Sequence, residues 1–76
     1  SVNLDFRVLI SILLKANATK FILIHNHPFG SAKPSKEDIA MTNMIKKKTK
    51  EFSIRLLDHI IFGNQEYFSF KDQALI

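Results

Sequence analysis

Hydrophobic and polar positions along the chain follow two different periods, and together they predict five secondary-structure elements. In residues 4–16 (LDFRVLISILLKA), apolar residues recur at the i, i+3, i+4, i+7, i+8 spacing of an amphipathic helix. These residues are Phe6, Leu9, Ile10, Leu13 and Leu14. Val8 and Ile12 widen the stripe, so we expect this helix to be covered on more than one side. Asn3 is its predicted N-cap, and Asp5 suits the positive end of the helix dipole.

Residues 20–26 (KFILIHN) are a short, nearly continuous apolar run rich in aromatic and β-branched residues. Such a run predicts a strand buried on both faces, as in a parallel or mixed sheet. His25 and His27 lie where this strand ends. Because sites in open α/β sheets form beyond the carboxyl ends of strands, this position favours a functional role for the two histidines.

A loop punctuated by proline, glycine and serine follows over residues 27–34. Ser35 is then the predicted N-cap of a helix that runs from residue 39 to about residue 48. Its apolar and β-branched positions are expected to face the core, and they are Ile39, Met41, Thr42 and Ile45.

The last third of the chain predicts a β-hairpin. Residues 54–62 (IRLLDHIIF) and 66–70 (EYFSF) have strand patterns, and residues 63–65 form the turn between them. The order α-β-α-β-β implies a parallel crossover from the first strand to the second, and such crossovers are right-handed. Residues 71–76 carry no readable pattern.

Composition is that of one small globular domain, because a hydrophobic fraction of 46 % is too high for disorder. A domain of this size buries only about 60 % of its unfolded surface, so we expect a metal, a partner or very good packing to stabilise it. The lack of cysteine excludes disulfides, thiolate zinc sites and cysteine nucleophiles, and it fits a cytoplasmic location. No apolar run approaches the roughly 18 residues of a membrane span, so we expect no membrane contact.

Three residues around the loop predict a divalent-metal site, with zinc the first choice. Imidazole nitrogen and carboxylate oxygen are usual ligands of catalytic zinc, and three protein ligands leave a fourth position for water. His25 and His27 are two residues apart on an extended segment, so their side chains can point to the same side. Asp38 opens the next helix and can supply the third ligand from the opposite wall.

A structural interpretation competes for the same carboxylate. Ser35-x-x-Asp38 is also a variant of the capping box, in which the serine caps the helix and the acidic residue reaches back. A carboxylate turned onto its own helix start has less freedom to bind metal. A histidine placed as His25 is, taken alone, is more often a hydrogen-bonded strand-end residue than a metal ligand. The residues alone leave both interpretations open.

The motif also resembles that of a known family. His25-Asn26-His27-Pro28, then six intervening residues and Ser35-x-x-Asp38, resembles the JAMM signature of MPN+ metalloproteases. The longer segments HNHPFGSAKPSKEDIAMT and LLDHIIFGNQEYFSF are similar to the bacterial RadC-like branch of that family. The resemblance covers about residues 4–70, and Phe29 stands where RadC-like chains usually have a small residue.

This resemblance implies an α/β fold: an α-β-α-β-β fragment of the three-layer MPN (cytidine-deaminase-like) fold with a mixed sheet. It implies His25, His27 and Asp38 as zinc ligands and Ser35 as a catalytic residue that supports the substrate oxyanion or orients the site. Family members use water activated by zinc to hydrolyse peptide or isopeptide bonds.

The family mechanism also needs a glutamate that transfers the proton of the water. In the family this residue lies on a strand upstream of the first helix, and none of Glu37, Glu51 or Glu66 matches it. We therefore expect residues 1–76 to be a single partial domain without the upstream strands, able to bind metal but catalytically incomplete. A bare sheet edge and an apolar helix surface then predict a homo-oligomer.

Other features admit a second class of function. The run Lys46-Lys47-Lys48-x-Lys50 could contact phosphates of nucleic acid. This interpretation suits the net charge of +4 and the DNA-repair label attached to RadC-like proteins. Such lysine runs are more often solvated helix ends. A third possibility is a partner-binding module with a vestigial metal site.

Two further groups of residues have both a functional and a packing interpretation. Asp58-His59 could be a pair that supports the metal ligands, or a strand-face histidine beside an exposed aspartate. Tyr67, Phe68 and Phe70 could stack on bases, but their strand spacing favours core and hairpin packing.

Overall fold

The computed structural model describes residues 4–76 and contains two helices and three strands in the predicted order. In chain order, these elements are α1 (Phe6–Lys15), β1 (Lys20–Asn26), α2 (Lys36–Lys50), β2 (Arg55–Gly63) and β3 (Glu66–Ser69). The predicted α-β-α-β-β arrangement is confirmed, with shifts of only a few residues at the ends. Within residues 4–76 no helix is both long and apolar enough to cross a membrane.

The three strands form one mixed sheet in the order β1-β2-β3. β1 pairs with β2 in parallel, and β2 pairs with β3 antiparallel, as a crossover followed by a hairpin requires. His25 lies opposite Ile61 in this register. Beyond β1, the His27 N–H donates to the Phe62 carbonyl at 2.7 Å, so the ladder continues into the loop and holds His27 beside β2.

Asp5 is the N-cap of α1, and its carboxylate accepts a hydrogen bond from the Arg7 N–H at 2.9 Å. Asn3, the predicted N-cap, lies outside the described residues. Leu13 is the one buried residue of α1, whereas Val8 and Ile12 are more than half exposed. The expectation that α1 is covered on several sides is therefore wrong, since nothing in the described part of the chain packs over Val8 and Ile12.

β1 is covered on one face only, so the expectation of burial on both faces is also wrong. Phe21, Leu23 and His25 are partly buried, but Ile22 and Ile24 are 51 % and 71 % exposed. The physical reason is that α2 packs on the face of the sheet that carries His25. The opposite face has no helix against it in the described part of the chain.

The core lies between α2 and the covered face of the sheet. Ile45 of α2, Ile61 of β2 and Phe70 just after β3 are fully buried. Thr42 and Thr49 are buried beside them, and each hydroxyl donates to the carbonyl four residues earlier in the helix. These polar side chains are thus buried without losing their hydrogen bonds.

Candidate metal centre

The structure brings His25, His27 and Asp38 together at the carboxyl end of β1. One potential ligand atom from each lies within 4.8 Å of the other two. Nδ1 of His25 is 3.7 Å from Oδ1 of Asp38, and Nε2 of His27 is 3.4 Å from Oδ2. Two ligands bound tetrahedrally to zinc at about 2.0–2.1 Å are roughly 3.3 Å apart, so these separations suit a shared ion.

Asp38 takes part in the helix cap and also lies among the potential metal ligands. Its Oδ2 accepts a hydrogen bond from the Ser35 N–H at 2.8 Å, and its own N–H donates to Ser35 Oγ at 3.0 Å, which completes a capping box. The carboxylate nevertheless stays within reach of both imidazoles. The cap therefore holds the carboxylate toward His25 and His27 rather than withdrawing it.

His27 is oriented by the loop that follows it. Its Nδ1 lies 2.8 Å from the Ser31 carbonyl, and a carbonyl only accepts, so Nδ1 carries the hydrogen. In the neutral ring Nε2 is then left with a free lone pair on the side of Asp38. This arrangement, with one ring nitrogen donating to a carbonyl and the other free, is typical of metal-binding histidines.

The loop itself is held against the β-hairpin. Oε1 of Glu66 accepts hydrogen bonds from the Ser31 hydroxyl and the Ala32 N–H, both at 3.3 Å. Gly63 lies so close to the loop that a Cβ there would be 2.5 Å from the Gly30 carbonyl oxygen. The hairpin thus fixes the segment that orients His27.

His25 provides the observation that tests whether a metal fits. Its Nδ1 is a buried side-chain atom without a hydrogen-bond partner, the one such atom found in residues 4–76. Buried polar atoms are normally paired, and 3.7 Å to Asp38 is too long for a hydrogen bond. A cation shared with Asp38 and His27 would satisfy this nitrogen, so the donor set fits a metal ion.

The protonation states favour the same conclusion. Burial lowers the pKa of His25, and the nearby Asp38 carboxylate only partly offsets that effect. Burial acts to raise the pKa of Asp38, but the hydrogen bonds from Ser35 and the charges of His25 and His27 outweigh it, so the pKa is lowered. A neutral imidazole and an ionised carboxylate are the forms that bind metal.

His59 lies directly behind the candidate ligands. Its ring stacks on His25 with 5.8 Å between centroids and on Phe70 with 4.6 Å. Its Nδ1 is 2.7 Å from Thr42 Oγ1, and that hydroxyl donates to the Asp38 carbonyl, also at 2.7 Å. Because the hydroxyl has a single hydrogen, His59 must donate to Thr42.

The sequence hypothesis of an Asp58-His59 pair is therefore corrected. Asp58 accepts hydrogen bonds from the Ser69 hydroxyl and from the backbone N–H groups of His59 and Lys71, and none from an imidazole ring. It organises the end of β3 instead. Sequence reasoning missed Thr42 as the partner of His59, and the available signal was its position four residues after Asp38 on the same helix face.

Some aromatic residues of the hairpin pack in the core, and others are exposed on the surface. Phe70 is buried, and Phe68 packs against the core cluster beside it, as their strand spacing predicts. Tyr67 is 64 % exposed. Together with Phe62 it lines a shallow cavity of about 550 Å³ that reaches His27.

The sequence of this chain is similar to those of known bacterial proteins. Residues 1–75 match the protein family described as RadC-like JAB domain. A UPF0758 protein of Chlorobaculum tepidum is 41 % identical over 70 residues, which cover 92 % of this chain and 32 % of that protein. A UPF0758 protein of Clostridium tetani is 48 % identical over 63 residues, covering 83 % of this chain and 28 % of its own length. The chain thus spans less than a third of the length of these relatives.

Proposed function

Because the chain belongs to the RadC-like JAB domain family, we propose that it is a zinc-binding module of JAMM type whose complete domain hydrolyses peptide or isopeptide bonds. The observation that carries this proposal is the meeting of three potential ligand atoms within 4.8 Å, one of them a buried nitrogen with no other partner. The lack of cysteine suits a cytoplasmic setting for this activity.

In this proposal His25, His27 and Asp38 hold the zinc ion. When bound, zinc supplies a Lewis acid that activates water near neutral pH and polarises a substrate carbonyl. The chain's own residues prepare the site for it. Ser31 keeps His27 in the tautomer that leaves Nε2 free, and Ser35 holds the Asp38 carboxylate toward both rings.

Ser35 has a second proposed role. Its Oγ accepts the Asp38 N–H, and no acceptor for the hydroxyl hydrogen is found within residues 4–76. Because Ser35 is exposed at the rim of the site, that hydrogen is available to a substrate oxyanion.

Proton transfer needs a further group. No glutamate within the described residues joins the three ligand atoms, and Oε1 of Glu66 is engaged by Ser31 and Ala32. The proposal assigns this step to a glutamate from another part of a longer chain. The module described here then supplies the metal ligands and the positioning residues, and the bond cleavage belongs to the complete domain.

Zinc binding tests the proposal at the level of this chain. Elemental analysis and calorimetric titration of the purified protein should give one zinc per chain, and His25→Ala or Asp38→Ala should abolish it. Glu37→Gln is the matched control, because Glu37 is an exposed carboxylate next to Asp38 and should leave zinc binding unchanged. An intact chain that binds no zinc, or binding that survives His25→Ala, would contradict the assignment.

Hydrolysis is tested on a full-length relative. Cleavage of fluorogenic peptide or isopeptide substrates should stop when a chelator removes the metal and return when zinc is restored. Metal-independent cleavage would argue against the JAMM-type chemistry.

A further inference from the structure

The fold divides the lysine run of α2 into two sets. Lys46 and Lys50 lie one helical turn apart and line a cavity of about 530 Å³, whereas Lys47 and Lys48 do not line it. Two further cations line the same cavity, Arg55 from the start of β2 and Lys71 from the segment after β3. Four cationic residues from three parts of the chain therefore line one concavity.

None of these cations forms a close ion pair with a carboxylate of the described residues. Within residues 4–76, no carboxylate lies within 4.0 Å of a lysine or arginine nitrogen. The carboxylate–nitrogen pairs at that distance are those of Asp38 with His25 and His27. Asp58 acts on Lys71 at longer range, but its oxygens are already held by three hydrogen bonds. Like charges at i and i+4 repel each other, so the four cationic residues leave the cavity with a net positive potential.

The floor of the cavity is apolar. Ile54 and Leu56 are buried beneath it, and Leu57 lines it at the irregularity in the pairing of β1 with β2. A site that combines a few converging charges with an apolar surface, within a volume of several hundred Å³, is typical of small-molecule binding. An extended nucleic-acid strand would instead require cations spread along a surface.

The cavity lies at the opposite end of the sheet from the candidate metal centre. Arg55 begins β2, whereas Ile61 of the same strand is the register partner of His25. Six residues of strand correspond to roughly 20 Å. The metal ligands and the cationic cavity are therefore separate features, and either can exist without the other.

We propose that this cavity binds a small organic phosphate of the nucleoside diphosphate or triphosphate class. The phosphate oxygens contact Lys46, Lys50, Arg55 and Lys71, and the base or sugar lies against Ile54 and Leu57. Charge-assisted hydrogen bonds to phosphate, with Arg55 able to form a bidentate pair, provide the affinity. The apolar floor adds contact area that inorganic pyrophosphate cannot use.

This proposal is tested by titrating the protein with ADP at physiological ionic strength. Calorimetry measures the affinity, and amide NMR shifts locate the binding site. ADP should saturate, shift the amides of Ile54 and Leu57, and bind more tightly than pyrophosphate. The double variant Lys46→Gln/Lys50→Gln should weaken ADP binding by about tenfold or more, since two charge-assisted contacts are lost. The control Lys36→Gln/Lys47→Gln removes the same charge outside the cavity and should change the affinity by less than about twofold.

The His25→Ala variant separates this test from zinc binding. It should keep its ADP affinity, which shows that the nucleotide is not held through a metal at the other end of the sheet. The proposal is overturned if ADP fails to saturate at millimolar concentration, or if the two lysine variants lose affinity equally. It is also overturned if a short DNA duplex binds more tightly than ADP and shifts the same amides.

Discussion

Ser35 and Asp38 bind each other through two reciprocal hydrogen bonds, and this pair joins the start of α2 to the candidate metal centre. The Ser35 N–H donates to the Asp38 carboxylate at 2.8 Å, and Ser35 Oγ accepts the Asp38 N–H at 3.0 Å. The same carboxylate lies 3.4 Å from His27 and 3.7 Å from His25. A helix cap therefore serves as the positioning device for a predicted ligand.

Replacing Ser35 should affect stability and metal affinity together. Ser35→Ala removes the acceptor for the Asp38 N–H, so the free energy of unfolding of the metal-free protein should fall by about 1 kcal/mol. Zinc affinity should fall by about 10- to 100-fold, because Asp38 loses part of its orientation. Urea unfolding and zinc titration measure the two effects. Ser35→Thr keeps the hydroxyl and should retain most of both, and unchanged zinc affinity in Ser35→Ala would contradict the positioning role.

The two glycines give a matched pair of alanine substitutions. At Gly63 a Cβ would lie 2.5 Å from the Gly30 oxygen and 2.9 Å from the Ala32 nitrogen, both of them backbone atoms. Gly63→Ala should therefore destabilise the protein by about 1–3 kcal/mol through overpacking and loosen the loop that orients His27. A Cβ at Gly30 meets nothing within 4 Å, so Gly30→Ala should change stability by less than about 1 kcal/mol. Thermal unfolding compares them, and equal losses would exclude the close approach as the cause.

His59 should make the metal-free protein sensitive to acid. Burial lowers its pKa below the usual 6.5, with His25 adding to the effect, so the unfolded chain takes up a proton at higher pH than the folded chain does. Its contribution to stability is complete above about pH 6.5 and is lost as the pH falls toward the lowered pKa of the folded state. Urea unfolding at a series of pH values should show this decline, and His59→Gln should make it shallower. Identical slopes in the two proteins would show that His59 does not titrate as described.

Self-association is expected through the uncovered face of the sheet. Ile22, Ile24, Phe62 and Tyr67 lie on that face and are all more than 40 % exposed, and β1 has a free edge in the described structure. Exposed apolar strands at a sheet edge are sites of pairing between chains. Light scattering should detect a dimer or larger assembly, and Ile24→Lys should shift it toward monomer. Glu37→Lys, on the exposed side of α2, is the control, and a monomeric parent protein would refute this expectation.

The elements were predictable because their signals are local. The 3.6-residue stripe of α1, the apolar run of β1 and the turn at residues 63–65 each lie within a short window, and each is present in the structure. The parallel pairing of β1 with β2 followed from the order of elements alone. The residues of the candidate metal centre were likewise named from spacing and from the family resemblance.

Burial was the weaker prediction, because an apolar residue is covered only where another layer packs on it. Ile24 has the sequence pattern of a buried strand residue, yet it is 71 % exposed because α2 covers the other face of the sheet. From the sequence, an Asp58-His59 pair was one of two interpretations, and Thr42 was not identified as the partner of His59. Asp58, the neighbour of His59 in the sequence, instead accepts a hydrogen bond from Ser69, eleven residues further along the chain. Thr42 of α2 is hydrogen-bonded to the His59 ring.

By itself, the sequence determined the order of the helices and strands and the three side chains that can serve as metal ligands, since periodicity, capping residues and motif spacing act over a few residues. Only the tertiary structure decided that Asp38 completes a cap and still faces both imidazoles, and that Lys46 and Lys50 meet Arg55 and Lys71 around one cavity. These groups come from segments far apart in the chain. Their meeting depends on how α2 and the hairpin pack on the sheet, which no local pattern records.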